Sequence, residues 1–203
     1  MLFKLGYAIV WPIFHILFPY EVIGREKLYN RKEGYVVCAN HISFLDPVYI
    51  IYAMKRKNRI FFMAKQELFE KKLSAWFFKC VGAFPVSRGT GATGGIKTAE
   101  TILANGQTLG VFPEGTRSKD GKIGKAKAGA AMLVSSFDTY VLPITLICKD
   151  QKVRPFRKMT LVVSDPVCMP EKSEDYSQRE YLRLCTAEIM KPIQEGLDNY
   201  GRS

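Results

Sequence analysis

The stretch Asn40-His41-Ile42-Ser43-Phe44-Leu45-Asp46-Pro47 sets an imidazole five positions ahead of a carboxylate. It falls where the apolar run Tyr35–Ala39 gives way to polar residues and then to a second apolar run. A neutral imidazole takes a proton from a hydroxyl near neutral pH without first losing one of its own. If the chain folds back here as a strand-to-helix turn, Asp46 accepts the Nδ1–H of His41, fixes its tautomer and leaves Nε2 as the base. Such a pair activates a substrate hydroxyl directly and needs no serine or cysteine nucleophile. Taken alone, the spacing also fits an ordinary helix start, with His41 as a cap and Pro47 at the first helical position.

A second stretch, Val111-Phe112-Pro113-Glu114-Gly115-Thr116-Arg117-Ser118, closes another apolar run. With it stand Gly82-Ala83-Phe84-Pro85-Val86-Ser87-Arg88 and Val141-Leu142-Pro143-Ile144. These four blocks, in this order, resemble the glycerolipid acyltransferase family, whose bacterial members acylate lysophosphatidic acid. The resemblance runs from about Gly24 to Pro170, and Phe-Pro-Glu-Gly-Thr-Arg-Ser is its most specific block. The second block departs from the family, with Pro85-Val86-Ser87 where an Ile-aspartate or similar pair often precedes the arginine.

The resemblance implies an α/β fold like that of glycerol-3-phosphate acyltransferase and an O-acyltransferase activity without cofactor or metal. Its acceptor would be lysophosphatidate and its donor an acyl thioester on coenzyme A or acyl carrier protein, with phosphatidic acid formed for phospholipid synthesis. His41 and Asp46 are then the catalytic pair, and no covalent acyl-enzyme forms. A phosphate monoester carries about −1.5 to −2 charge at pH 7, so its site wants guanidinium forks and free backbone N–H groups. Arg88 and Arg117 supply forks, Gly115 permits a tight turn, and Thr116 and Ser118 offer hydroxyls. Glu114 bonds a glycerol hydroxyl or orients an arginine, unless it merely pairs with Arg117 at the surface. Lys65, after the strand Ile60–Ala64, matches a family lysine near the substrate. Backbone N–H groups near Gly115 are candidates for an oxyanion site. Other acceptors, an amino-lipid or another lysolipid, remain open, as does a non-catalytic protein that binds anionic membranes.

A chain of 203 residues, 47% of them hydrophobic, suffices for one well-buried catalytic domain. Its net charge of +11 points to an anionic partner. The basic clusters, 55–59, 119–127 and 149–158, lie in loops and match no nucleic-acid module, so an anionic membrane surface is expected and nucleic acid is not. Five cysteines without a Cys-x-x-Cys pair argue against disulfides and structural zinc. Cys38, among Val36, Val37 and Ala39, reads as a buried strand position.

Residues 5–20 are the most apolar stretch and carry no formal charge, but the run is short for a bilayer span and is interrupted by Pro12 and His15. Residues 1–23 are read as a retained helical segment lying in one leaflet at the cytoplasmic face of the cell membrane, with Tyr7, Trp11 and Tyr20 at headgroup level. A core helix is the alternative. Residues 24–203 are read as the acyltransferase domain.

Helices are expected from Val48 to Met54, Gln66 to Val81, Ile96 to Asn105 and Ala128 to Ser136. The second is expected to bury Leu68, Phe69, Leu73, Trp76 and Phe77. A last helix to about Asn199 would take Ser173 as its N-cap. Strands at Thr108–Phe112, Thr139–Ile147 and Met159–Ser164 complete an alternation that predicts a central, largely parallel or mixed sheet covered by helices. Gly89-Thr90-Gly91-Ala92-Thr93-Gly94 has the form of a dinucleotide fingerprint, but such a fingerprint follows the first strand of its fold and this one follows a later strand, so it reads as a loop.

Overall fold

Short apolar runs bounded by turns become strands throughout this chain. The computed structural model describes residues 12–28, 34–54, 60–80, 82–86, 92–118, 120–137 and 139–201. The strands are β1 (Tyr20–Ile23), β2 (Val36–Ala39), β3 (Ile60–Lys65), β4 (Ala83–Val86), β5 (Thr108–Val111), β6 (Val141–Cys148) and β7 (Met159–Val163). The helices are α1 (Asp46–Met54), α2 (Lys72–Cys80), α3 (Ala92–Ala104), α4 (Gly129–Phe137) and α5 (Gln178–Tyr200).

All seven strands join one sheet in the order β1-β7-β6-β2-β5-β3-β4. From β6 to β4 the strands run parallel. β7 runs antiparallel to β6, and β1 pairs parallel with β7. The sheet is therefore mixed, with a parallel heart. Parallel strands connected by helices are covered on both faces and so read as continuous apolar runs. Val37 and Ala39 of β2 join the core under α1, whereas Val36 and Cys38 join the core beneath α3, α4 and α5.

The register gives the sheet a functional edge. The C-terminal ends of β2 to β6 open on one side. Because Cys148 of β6 and Tyr20 of β1 both pair with Met159, the residues entering β1 and those linking β6 to β7 lie on that side too.

Several expectations are corrected here. Residues 20–23, assigned to the membrane segment, form an edge strand of the sheet. Four residues that begin where the most apolar run of the chain ends read as its continuation, and so short a strand carries no periodicity of its own. Residues 12–17 are helical, with Phe14 buried against Tyr49 and Tyr52 while Ile13 and Ile16 are exposed. No helix among the described residues is long and apolar enough to cross a membrane. Residues 66–69 form a separate 3-10 turn before α2, and Leu73 and Trp76 point to solvent rather than inward. The last helix begins four residues later than expected: Ser177 accepts the N–H of Glu180 while the Glu180 carboxylate accepts the N–H of Ser177. That reciprocal box satisfies two orphan donors, which outcompetes a lone Ser173. Cys38, Cys148 and Cys185 are buried, but Cys168 is exposed.

Asn40 continues β2 with its side chain. Its amide nitrogen donates to the Leu146 carbonyl at 2.9 Å and its amide oxygen accepts the Leu146 N–H at 2.7 Å, all of it buried. Replacing Asn40 with alanine strands two buried backbone groups, at about 1–3 kcal/mol each. The expected loss of about 2–6 kcal/mol is read from urea unfolding; a change within about 0.5 kcal/mol, as at an ordinary surface position, contradicts this role.

Candidate active site

The turn leaving β2 folds back on the first turn of α1. His41 Nδ1 lies 2.8 Å from Asp46 Oδ2, and the same oxygen accepts the N–H groups of Ile42 and Ser43 at 2.7 Å each. Three donors on one oxygen and the N-terminus of α1 all favour a negative charge on Asp46, whose side chain is fully buried. Burial pushes the carboxyl upward, and the bonds from His41, Ser43 and Ile42 oppose that rise. An ionised Asp46 only accepts, so Nδ1 carries the proton and Nε2 the free lone pair. Asp46 Oδ1 and the Tyr49 hydroxyl, one turn further along α1, are buried without a hydrogen-bond partner among the described residues.

The imidazole is held on its face as well as its edge. It stacks on Phe112 with ring centroids 4.0 Å apart and planes at 16°, and Phe112 stacks in turn on Phe62. Phe62 lies over Gly110 of β5, where a Cβ would collide with the edge of the ring. His41 remains partly open, its side chain 19% exposed. Cys38, on the strand that leads to it, is buried and its thiol is pushed far up by that burial, so it supplies no thiolate.

Glu114 ties the neighbouring turns together. Its Oε1 accepts the His41 N–H at 2.9 Å and its Oε2 accepts the Gly124 N–H at 2.7 Å. The Ser118 N–H donates to the His41 carbonyl at 2.7 Å, and the Lys127 N–H to that of Pro113 at 2.8 Å. Gly115 has φ +69, and a Cβ there would stand 3.1 Å from Lys127 Nζ, so the Lys127 side chain lies across the turn. The chain thus gathers His41, the Phe112–Ser118 turn and the loop 120–127 at adjacent strand ends.

A family profile described as Acyltransferase matches residues 19–147. A 1-acyl-sn-glycerol-3-phosphate acyltransferase of Bacillus subtilis is 30% identical over 182 residues, which is 86% of this chain and 85% of that protein. One from Streptococcus pneumoniae is 34% identical over 121 residues, 59% of this chain but 44% of that protein. This chain belongs to the acyltransferase family. The fold of this acyltransferase also matches the crystal structure of the 1-acyl-sn-glycerophosphate acyltransferase PlsC from Thermotoga maritima, with a TM-score of 0.66 at 24% identity, covering 96% of this chain and 78% of that one.

The structure brings together most of the residues that the sequence singles out in this acyltransferase. His41 and Asp46 make the expected pair. Glu114 is at the site, but both of its oxygens go to backbone donors and it makes no ion pair with Arg117 among the described residues. The Gly115 N–H donates to the Phe112 carbonyl at 2.9 Å, so that group is engaged within the turn. Thr116 and Arg117 are exposed, and the Ser118 hydroxyl donates to Asp120 at 3.2 Å. Lys65 ends β3, exposed, on the same edge of the sheet. Arg88, with Gly89 and Gly91, lies outside the described residues. Gly94 falls inside α3, after the edge strand β4, which is no place for a dinucleotide turn. Lys127 was legible only as one lysine in a basic loop, because its approach to Gly115 depends on the fold of that loop.

Two outcomes follow from these contacts. Replacing Glu114 with alanine frees the Gly124 N–H, so limited trypsin digestion should cut faster at Lys122 and Lys125 than in the parent protein; equal rates would contradict the tether. For Asp46, burial raises the folded carboxyl above its unfolded value. Its contribution to stability is then full below the ordinary aspartate range and is lost as pH rises through the raised value. The unfolding free energy of the parent protein minus that of Asp46→Asn should therefore fall in urea titrations as pH rises above the ordinary aspartate range. A rise there would show the three hydrogen bonds outweighing burial.

Proposed function

We propose that this acyltransferase moves an acyl chain from an acyl thioester to the free hydroxyl of 1-acyl-sn-glycerol-3-phosphate, making phosphatidic acid. The observation that carries the reading is the His41–Asp46 pair, oriented on edge and face and partly open at the rim of a parallel sheet. The names of the Bacillus and pneumococcal relatives support the acceptor. In this mechanism Nε2 of His41 takes the proton of the glycerol hydroxyl as its oxygen attacks the thioester carbonyl. The tetrahedral intermediate expels the thiolate, which takes that proton from the imidazolium. Asp46 stabilises the imidazolium between the two steps.

Arg117 is assigned to the acceptor phosphate, with Thr116, Ser118, Lys65 and Arg88 around it, and Gly115 shapes the turn. Glu114 supports the site through the His41 N–H. The donor is acyl-coenzyme A or acyl carrier protein, whose acidic character suits the net charge of +11. The segment before β1 holds the enzyme on the cytoplasmic face of a cell membrane from one leaflet, and the domain from β1 onward carries the catalysis. The exposed Ile13 and Ile16 support that placement.

The test is acyl transfer to lysophosphatidate in liposomes with each donor. His41→Ala should lower kcat/KM by about 10²- to 10⁴-fold. Arg117→Ala removes a charge-assisted bond and should lower it by about 10- to 100-fold, mostly through KM. Transfer that survives His41→Ala intact, or a parent protein that acylates an amino-lipid and not lysophosphatidate, would sink this assignment.

A further inference from the structure

The linker between β6 and β7 carries a feature that the reaction does not use. Phe156 is 71% exposed and has φ 61, a left-handed conformation costly for a bulky side chain. Its N–H donates to the Leu17 carbonyl at 2.6 Å, which fixes the linker to the helical turn 12–17. On that turn Ile13 and Ile16 are 58% and 68% exposed. The linker that carries an exposed apolar ring is thus tied to the turn that carries two exposed branched side chains.

Their surroundings identify the occupant. Residues 149–158 hold five cations, Lys149, Lys152, Arg154, Arg157 and Lys158, against one carboxylate, Asp150. Arg157 pairs with Asp150 at 3.1 Å and Lys158 with Glu21 at 3.0 Å, bracing the linker against the sheet. Lys152 and Arg154 are exposed. An exposed apolar tip on a cationic linker matches an anionic bilayer, where acyl chains take the tip and headgroups the cations. The strand register sets the direction: this linker and the residues entering β1 leave the same sheet edge as His41 and Arg117.

We propose that residues 149–158 form a lipid-inserting wedge, with Phe156 entering an anionic leaflet beside Ile13 and Ile16 so that the catalytic edge faces the membrane. The proposal deepens the membrane placement above and rests on it. It assigns a second insertion point, far from the N-terminal segment in sequence, which orients the enzyme as well as tethering it.

The experiment uses the full chain. In a Trp11→Phe, Trp76→Phe background, Phe156→Trp places a single indole at the tip, and the protein is mixed with phosphatidylglycerol–phosphatidylcholine vesicles whose acyl chains are brominated. Quenching of that indole is the expected result. Phe156→Ser should weaken partitioning onto the same vesicles by roughly ten-fold, from the lost burial of one aromatic side chain. Arg154→Gln should weaken it about five-fold, and only when phosphatidylglycerol is present. If the protein sediments with vesicles while the indole stays unquenched, the wedge is wrong and the membrane placement stands. If no vesicle binds the parent protein, both fall. Self-association without lipid that Phe156→Ser dissolves would make this face an interface between copies and would overturn the wedge.

Discussion

A carboxylate removed from water survives as an anion only where donors converge on it, and Asp46 meets that condition with the His41 imidazole and two backbone N–H groups on a single oxygen. The convergence dictates the local fold. Ile42 and Ser43 must turn their N–H groups inward, which requires the chain to reverse between β2 and α1, and the reversal carries the imidazole onto the carboxylate. The charge is thus at once the N-terminal anchor of α1 and the partner of the base. Substituting the carboxylate would disturb a turn, a helix start and a tautomer together.

The turn is held from outside by elements distant in sequence. Asn40 extends the β2–β6 ladder by one side chain, so the strand ends against Leu146 rather than fraying. Glu114 reaches back 73 residues to the His41 N–H, and Phe112 lies under the ring. Both come from the end of β5, the strand beside β2. The parallel pairing of β2 with β5 is what places a glutamate and an aromatic ring against one histidine. It also explains why the relevant residues sit just after strands, where the crevice of an open α/β sheet opens.

Local features of this chemistry were legible in the sequence, and those set by distant contacts were not. The His41–Asp46 pair could be read because its geometry lies within six consecutive residues and a proline marks the helix start. The strand-and-helix alternation was visible because buried parallel strands are uninterrupted apolar runs. The role of Glu114 could not be read, since its acceptors serve backbone groups 73 and 10 residues away and no side-chain pattern marks them. β1 escaped notice because an edge strand of four residues needs only a neighbour, β7, which lies well over a hundred residues further along. The error over α2 has another source. Its apolar spacing is real, but a helical stripe shows which residues share a face and not whether protein covers that face; Leu73 is 78% exposed.

The uncovered apolar side chains bear on the chemistry itself. Phe44, 45% exposed, lies between His41 and Asp46 in the chain and meets Phe78 of α2 edge-on, with ring centroids 5.5 Å apart. Trp76, on the same helix as Phe78, is also 45% exposed. The residues flanking the imidazole are therefore apolar toward α2, while the Phe112–Ser118 turn carries Arg117 and has Lys127 lying across it. A lysophosphatidate has the same division, an acyl tail at one end and a dianionic phosphate at the other with the reactive hydroxyl between. On the proposed reaction, tail and phosphate would settle on opposite sides of His41. The hydroxyl would then be brought to Nε2 by orientation before any proton moves, and such orientation is among the largest contributions a site can make to a bimolecular reaction.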